Sequence, residues 1–325
     1  MDVLSEVLRV VKMESAFFFN AEFTQPWCLR SPASCKYAEH ISSNDRGHII
    51  IYHLLIEGHA AARLGNTRIP LTAGDIVIFP HGAEHFLENG KAPEINAERE
   101  LPRIFAEGLK LSKMGGGGGD VTKFVCGFMV CESKLSQVFL AGLPEVFKVN
   151  IREDQSGQWL ENSIRYAIAA ASATGDGGNA VVAKLCETLF IETLRRYVVQ
   201  LPDRQAGWLA GARDPEIGKV LALIHRQPEA PWTIERLASE AGLSRSVLAE
   251  RFRHYLGEPP VAYLTRWRLQ LGAQMLSTTS YSVAQIAAEV GYDSEQAFNR
   301  AFKRQFQHPP ARYRGITKAA GARAS

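Results

Sequence analysis

Apolar positions fall into two regimes along the chain. In roughly the first third they come in short runs dense in β-branched and aromatic residues: SAFFFNAEF, PWCLRSP, HIIIYHLLIEGHAAARLG and TRIPLTAGDIVIFPHGAEHFLENG. Gly, Pro and Asn cut these runs at short intervals, which predicts an antiparallel β-barrel or sandwich. Ahead of them Leu4, Val7, Leu8 and Val11 sit at helical spacing, and beyond them VTKFVCGFMVCES reads as a returning strand. Between Lys91 and Lys113 the sequence is polar and poor in pattern. The run Gly115 to Gly119, with no phosphate-loop lysine after it, predicts a long mobile hairpin loop. Helical spacing then takes over. It predicts helices over Gln158 to Ala173 and Ala180 to Leu201, and the Pro, Gly, Asp and Arg of Pro202 to Arg213 predict an interdomain linker over 203–213.

The last hundred residues repeat themselves. Leu237, Ala238, Ala241 and Gly242 match Ile286, Ala287, Val290 and Gly291 at a separation of 49. After one inserted residue Leu248, Phe252, Pro259, Pro260 and Tyr263 match Phe298, Phe302, Pro309, Pro310 and Tyr313 at 50. Two copies of one supersecondary unit account for this. In each copy an apolar stripe ends at a glycine, which closes a helix through φ > 0 without a Cβ clash. Ser244, and Asp293 or Ser294, then cap a second helix. Val247, Leu248 and Phe252 are expected on the core face of the first outer helix; Ala297, Phe298, Ala301 and Phe302 on that of the second. Small Ala238 and Ala287 allow the steep, close crossing of a helix-turn-helix.

The residues left facing out decide what such a pair can bind. They are Arg245, Ser246, Ala249, Glu250 and Arg253 in the first copy, and Ser294, Glu295, Gln296, Asn299, Arg300 and Lys303 in the second. Arg, Gln, Asn and Glu match base-edge donors and acceptors, so the expected partner is double-stranded DNA; the competing reading is a solvated face of a plain helical bundle. The stretch IAAEVGYDSEQAFNRAFKRQFQHPPARYR resembles the signature of the AraC/XylS family of transcription regulators, over about Pro215 to Arg314. That resemblance implies one long helix, near Val261 to Leu276, holding the two motifs apart so that they enter successive major-groove turns. Gln307 stands where the family usually has glycine.

Charge sharpens the division. The chain as a whole carries 37 basic and 34 acidic residues, but Arg213 to Ser325 alone holds 16 and 10. A basic end on a mildly acidic partner fits phosphate contact at one end only. Five cysteines at irregular spacing argue against a secreted disulfide framework, and no long apolar run is present, so a cytoplasmic protein with no membrane partner is expected.

The β-rich part carries a second resemblance. Gly74, Pro80, Gly82, His85 and Asn89 match the second motif of the cupin superfamily, and Gly47 with His53 matches the start of the first. Leu55 and His59 replace the second His and the Glu of that first motif. With Trp27, the region resembles the cupin-type sensor domain of one AraC-family branch, which implies effector contacts at Trp27, His53 and His85. On a regular strand His53 and His59 would share a face and could meet His85, making three imidazoles able to hold Zn or Fe. Gly58 would instead turn His59 outward if it marks a bulge. Cys28 and Cys126 lie in the segments that most resemble the sensor family, which keeps an oxidant response open; a buried cysteine is otherwise a small apolar residue.

The fold expected is α+β in two domains. A cupin-like β-barrel with appended helices (1–202) senses a signal, and an all-α domain with two helix-turn-helix motifs (214–315) binds DNA, followed by a tail (316–325). The function expected is a sequence-specific transcription regulator controlled by a small-molecule effector or oxidant, not an enzyme. It engages RNA polymerase if it activates, and its appended helices either pair two chains or simply cover the barrel. No cofactor is required. The alternative is a cupin metalloenzyme, a dioxygenase or isomerase, fused to a DNA-targeting module.

Overall fold

The computed structural model describes residues 13–38, 48–107, 111–131, 140, 143–153, 155–172, 178–201 and 207–321. The helix expected over Met1 to Val11 lies outside them. Two compact units emerge, one built on Met13–Glu132 with Pro144–Val199, the other on Gln200–Ser325.

The first unit is a pair of sheets sharing one core. Strands β1 (Met13–Thr24), β3 (His48–Glu57), β6 (Asp75–Phe79), β9 (Leu111–Gly116), β10 (Val121–Cys131) and β11 (Phe147–Asn150) form a six-stranded sheet in the order β11-β6-β3-β10-β1-β9. Strands β2 (Trp27–Ser31), β4 (His59–Leu64), β5 (Thr67–Thr72), β7 (His85–Asn89) and β8 (Glu94–Asn96) form a second sheet in the order β5-β4-β7-β2-β8. Phe23, Ile51, Leu55 and Phe124 of one sheet pack with Trp27, Leu29, Ala62 and Leu87 of the other. The break between β3 and β4 is at Gly58, with φ 87; a Cβ there would stand 2.5 Å from the Val121 carbonyl oxygen. The two halves of HIIIYHLLIEGHAAARL therefore enter different sheets.

On β3 the alternate residues Ile50, Tyr52 and Leu54 are buried as well, so this strand is covered on both faces. Helices α3 (Gln155–Ser172) and α4 (Gly178–Gln200) supply cover for the six-stranded sheet, with Phe147 of β11 against Tyr197 of α4 at 4.6 Å between ring centroids. Both begin and end within three residues of the positions expected.

Three expectations are corrected. The segment thought patternless contains β8, helix α2 (Ala97–Glu107) and β9, whose Ala97, Leu101 and Ile104 reach the core; helix α1 (Ser34–Ala38) was not foreseen either. The glycine run is not a mobile loop. Gly115 and Gly116 continue β9 alongside β1, and Gly117 and Gly119 donate to the carbonyls of Thr24 (2.9 Å) and Gln25 (2.8 Å). A Cβ on Gly117 would lie 2.3 Å from Pro26 Cδ, so glycine is demanded by close packing rather than by freedom. Finally, the expected linker is largely structured: α5 (Trp208–Arg213) is a helix with Trp208, Leu209 and Ala210 buried in the second unit.

The second unit continues with α6 (Pro215–Arg226), α7 (Ile234–Ala241), α8 (Arg245–Leu256), α9 (Pro260–Thr278), α10 (Val283–Glu289), α11 (Glu295–Phe306) and α12 (Pro310–Gly321). Helix α12 thus runs through the first part of the expected tail. Gly242 adopts the left-handed conformation after α7, and Ser244 and Ser294 cap α8 and α11 by accepting from the amides of Val247 and Ala297. Gly257 ends α8 at φ 74; its repeat mate Gln307 ends α11 at φ 60, so the departure from glycine leaves the cap geometry intact.

The packed reading of the glycine run has a direct check. Gly117→Ala should lower the stability of the N-terminal unit by about 1–3 kcal/mol, the range for overpacking a filled site. An unchanged denaturant midpoint would return the run to a loop.

Candidate nucleic-acid interface and the barrel interior

Helix α9 organises the interface. Its first half packs on the first repeat, where Tyr263 meets Phe252 edge-on at 5.6 Å and Trp267 stacks on His225 at 4.3 Å. Its second half, Leu269, Ala273 and Leu276, enters the core of the second repeat with Ile286, Ala287, Phe298 and Phe302. Gly272 makes the join possible, since a Cβ there would stand 2.8 Å from Phe298 Cζ. Arg268 donates to the carbonyls of Pro228 (2.6 Å) and Ala230 (2.8 Å), tying α9 to the turn that leads into α7. One helix thereby fixes both repeats.

The residues expected to face outward do so. Arg245, Ser246, Glu250 and Arg253 on α8 are exposed and Ala249 is half-buried; Ser294, Glu295, Gln296, Arg300 and Lys303 at α11 are exposed and Asn299 is half-buried. The two helices differ in what their charges already do. Arg245 is paired with Glu235 at 3.0 Å, and Arg251 with Asp214 and Glu216. On α11, Arg300 and Lys303 make no ion pair among the described residues. One placement was missed: Val247, expected in the core, is 41% exposed on the first turn of α8. Its repeat mate Ala297 is half-buried, so the shared apolar period gave no sign that the two positions differ.

In the first unit Trp27, His53 and His85 come together in a sealed interior. Trp27 is fully buried, stacked on Phe23 at 4.2 Å, with its Nε1 donating to Thr122 Oγ1 at 3.4 Å. His53 and His85 are 3% and 0% exposed, and their Nε2 atoms lie 2.7 Å apart. The protons on this pair can be assigned. His85 Nδ1 is 2.7 Å from the Ala83 carbonyl, which only accepts, so Nδ1 carries the proton and Nε2 is a lone pair. His53 Nε2–H must then donate to it, leaving His53 Nδ1 as a buried acceptor without a partner. Burial pushes the His85 imidazole down to about 4, and burial with the neighbouring imidazole takes His53 well below its ordinary value.

His59 does not join them. It follows Gly58 on β4 and is exposed, so the three-imidazole set does not form, and no group of three metal-ligating side chains occurs among the described residues. Two imidazoles hydrogen-bonded to each other among Phe79, Phe124 and Leu55 do not fit a metal centre. The cysteines are equally poor candidates for a reactive thiolate. Burial, then Glu88, raises the half-buried Cys28, and burial raises the enclosed Cys126 strongly. Cys35 is exposed; the side chains of Cys131 and Cys186 lie outside the described residues.

A model of the cupin family matches residues 2–199 and a helix-turn-helix domain model matches residues 237–316. The HTH-type transcriptional regulator AlkR of Acinetobacter baylyi is 30% identical over 324 residues, covering 97% of this chain and 99% of that protein. MtrA of Neisseria gonorrhoeae, an HTH-type transcriptional regulator, is 29% identical and covers 97% of this chain and 98% of its own. RclR of Escherichia coli K12, named an RCS-specific transcriptional activator, is 29% identical over 82% of this chain and 84% of its own.

The histidine pair predicts a pH dependence. Both imidazoles are neutral in the folded unit but take up protons near 6.5 once unfolded, so the stability they contribute is complete above that pH. It is lost as pH falls from 6.5 through about 4. For His85 the full loss is about 3 kcal/mol, at 1.36 kcal/mol per pKa unit. Replacing both histidines by leucine should flatten the denaturant midpoint of the unit across pH 7 to 4.5; an unaltered slope would contradict the assignment.

Proposed function

Because the chain belongs to the AraC-type transcription regulators that carry an N-terminal cupin domain, we propose that α8 and α11 enter successive major grooves on one face of a DNA duplex, with α11 the principal base reader. The chain is a DNA-binding transcription regulator, not an enzyme. The observation that carries the finer reading is the contrast between the two outer faces. Gln296, Asn299 and Arg300 present amide and guanidinium groups that can pair bidentately with adenine or guanine edges. On α8 the corresponding positions are Ser246, Ala249 and Glu250, and Arg245 already has a partner. Arg245 and Arg253, with the capped helix N-termini at Ser244 and Ser294, suit phosphate contact.

In this reading the cupin unit governs DNA binding through an effector that meets Trp27, His53 and His85. Their burial means that the sheets must part to admit it, and the partnerless His53 Nδ1 offers a hydrogen-bond donor on the effector somewhere to bind. An oxidant response ranks second, since neither Cys28 nor Cys126 is held as a thiolate. Exposed Trp159 and Tyr166, seven residues apart on α3, suit pairing of two chains. Activation would add RNA polymerase as a partner.

Arg300→Ala and Gln296→Ala should each weaken binding to a duplex selected by the wild-type protein by about 1–3 kcal/mol, with much smaller losses on random-sequence DNA. Wild-type affinity should fall steeply with salt. Equal losses on selected and random duplexes would reassign these side chains to the backbone.

A further inference from the structure

Helix α5 belongs to neither repeat, yet it is held on two sides. Toward α8, the Gly207 amide donates to the Tyr255 carbonyl at 3.1 Å. Gly211 lies against the last turn of α8, where a Cβ would stand 3.0 Å from Tyr255 Cβ and 3.1 Å from Leu256 Cδ2. Just past α5, Asp214 accepts from the Arg251 guanidinium at 2.5 Å and from the Tyr255 hydroxyl at 3.2 Å. Toward α9, Trp208 Nε1 donates to the Tyr263 hydroxyl at 2.9 Å, and that hydroxyl shares a hydrogen bond of 2.8 Å with His225 Nε2. Burial keeps this imidazole neutral, pushed down to about 3, so the Trp208–Tyr263–His225 chain carries no charge, unlike the Asp214–Arg251 pair.

The second reading helix has no such attachment chemistry. Arg251 and Tyr255 correspond, fifty positions on, to Ala301 and Gln305, which can neither pair with a carboxylate in that way nor reproduce the phenol. The strap therefore acts on one repeat only.

We propose that α5 is a positioning strap for the first reading helix: Trp208, Gly211 and Asp214 fix the angle at which α8 meets DNA, and detaching them disables the half-site read by α8 while sparing the one read by α11. This rests on the reading that both helices enter DNA. Truncating Trp208 opens a space beside His225 and takes one of its two partners from the Tyr263 hydroxyl; removing the Tyr255 hydroxyl cuts one tie to Asp214 with no loss of packing. Neither residue lies on the outward face of α8, so a specific effect on one half-site would come through orientation.

The test uses the full-length protein and a duplex selected by it from a randomised pool, read by hydroxyl-radical footprinting. The half-site whose protection Gln296→Ala weakens is assigned to α11. Trp208→Ala should then lose protection at the other half-site, with at least a tenfold fall in affinity. Tyr255→Phe should show the same asymmetry more weakly, and Trp208→Phe, which keeps an aromatic ring but not the indole N–H, should recover only part of the loss. Circular dichroism checks that each variant is folded; should Trp208→Ala unfold, Tyr255→Phe decides. Equal weakening of both half-sites, or none in Trp208→Ala and Tyr255→Phe, overturns the strap. If the wild-type protein selects no sequence, the DNA reading itself fails and the strap with it.

Discussion

Everything in the helical unit depends on α9 being a single unbroken helix gripped at both ends. At 19 residues it is about 28 Å long, at 1.5 Å per residue. That length is on the order of one turn of B-DNA, about 34 Å, the separation over which two major-groove readers present themselves on one face. The spacer is rigid because its two halves are built into two different cores. Tyr263 and Trp267 cannot shift without disturbing Phe252 and His225, nor Gly272 without moving Phe298. Arg268 adds a strut from its middle to the turn before α7. The repeats thus behave as one body, and their unequal chemistry becomes meaningful. A helix whose Arg300 makes no ion pair among the described residues is fixed at a set distance from one where Arg245 and Arg251 are paired with carboxylates.

The first unit has the opposite character. Its interior holds polar atoms that are expensive to bury, and hydrogen bonding satisfies all but one of those on the two histidines. A neutral imidazole pair, aromatic on most sides, is well suited to answer an uncharged ligand and badly suited to a metal ion. Leu55 stands where the cupin motif has its second histidine, and the turn at Gly58 exposes His59, so the three imidazoles do not meet.

Much of the helical unit was legible in the sequence because its signals are local. Caps at Ser244 and Ser294, the glycine turn at Gly242 and the matched apolar stripes all act within a few residues of themselves. What escaped depends on contacts between segments far apart in the chain. The Gly115–Gly119 run looks flexible until the Gln25–Pro26 turn is set against it, about ninety positions away. Trp208 and Leu209 sit in a stretch of linker composition, and only the backs of α8 and α9 reveal them as core. Val247 escaped for another reason: the repeat places it in register with half-buried Ala297, and the shared period does not separate the two positions. In the barrel, the resemblance to cupin sensor domains implies that His53 and His85 face one interior. Their direct hydrogen bond, and the directionality it imposes, required the structure.

The central claim is that α9 holds two DNA-reading helices at one fixed separation. It is tested most directly by measuring the affinity of the intact protein for its selected duplex with two, five and ten base pairs inserted between the half-sites. A rigid spacer predicts a loss approaching the contribution of a whole half-site for all three insertions, with no recovery at ten base pairs, because restoring the helical phase does not restore the distance. Full affinity at ten base pairs, or tolerance of all three, would mean that the repeats move independently and would contradict the account.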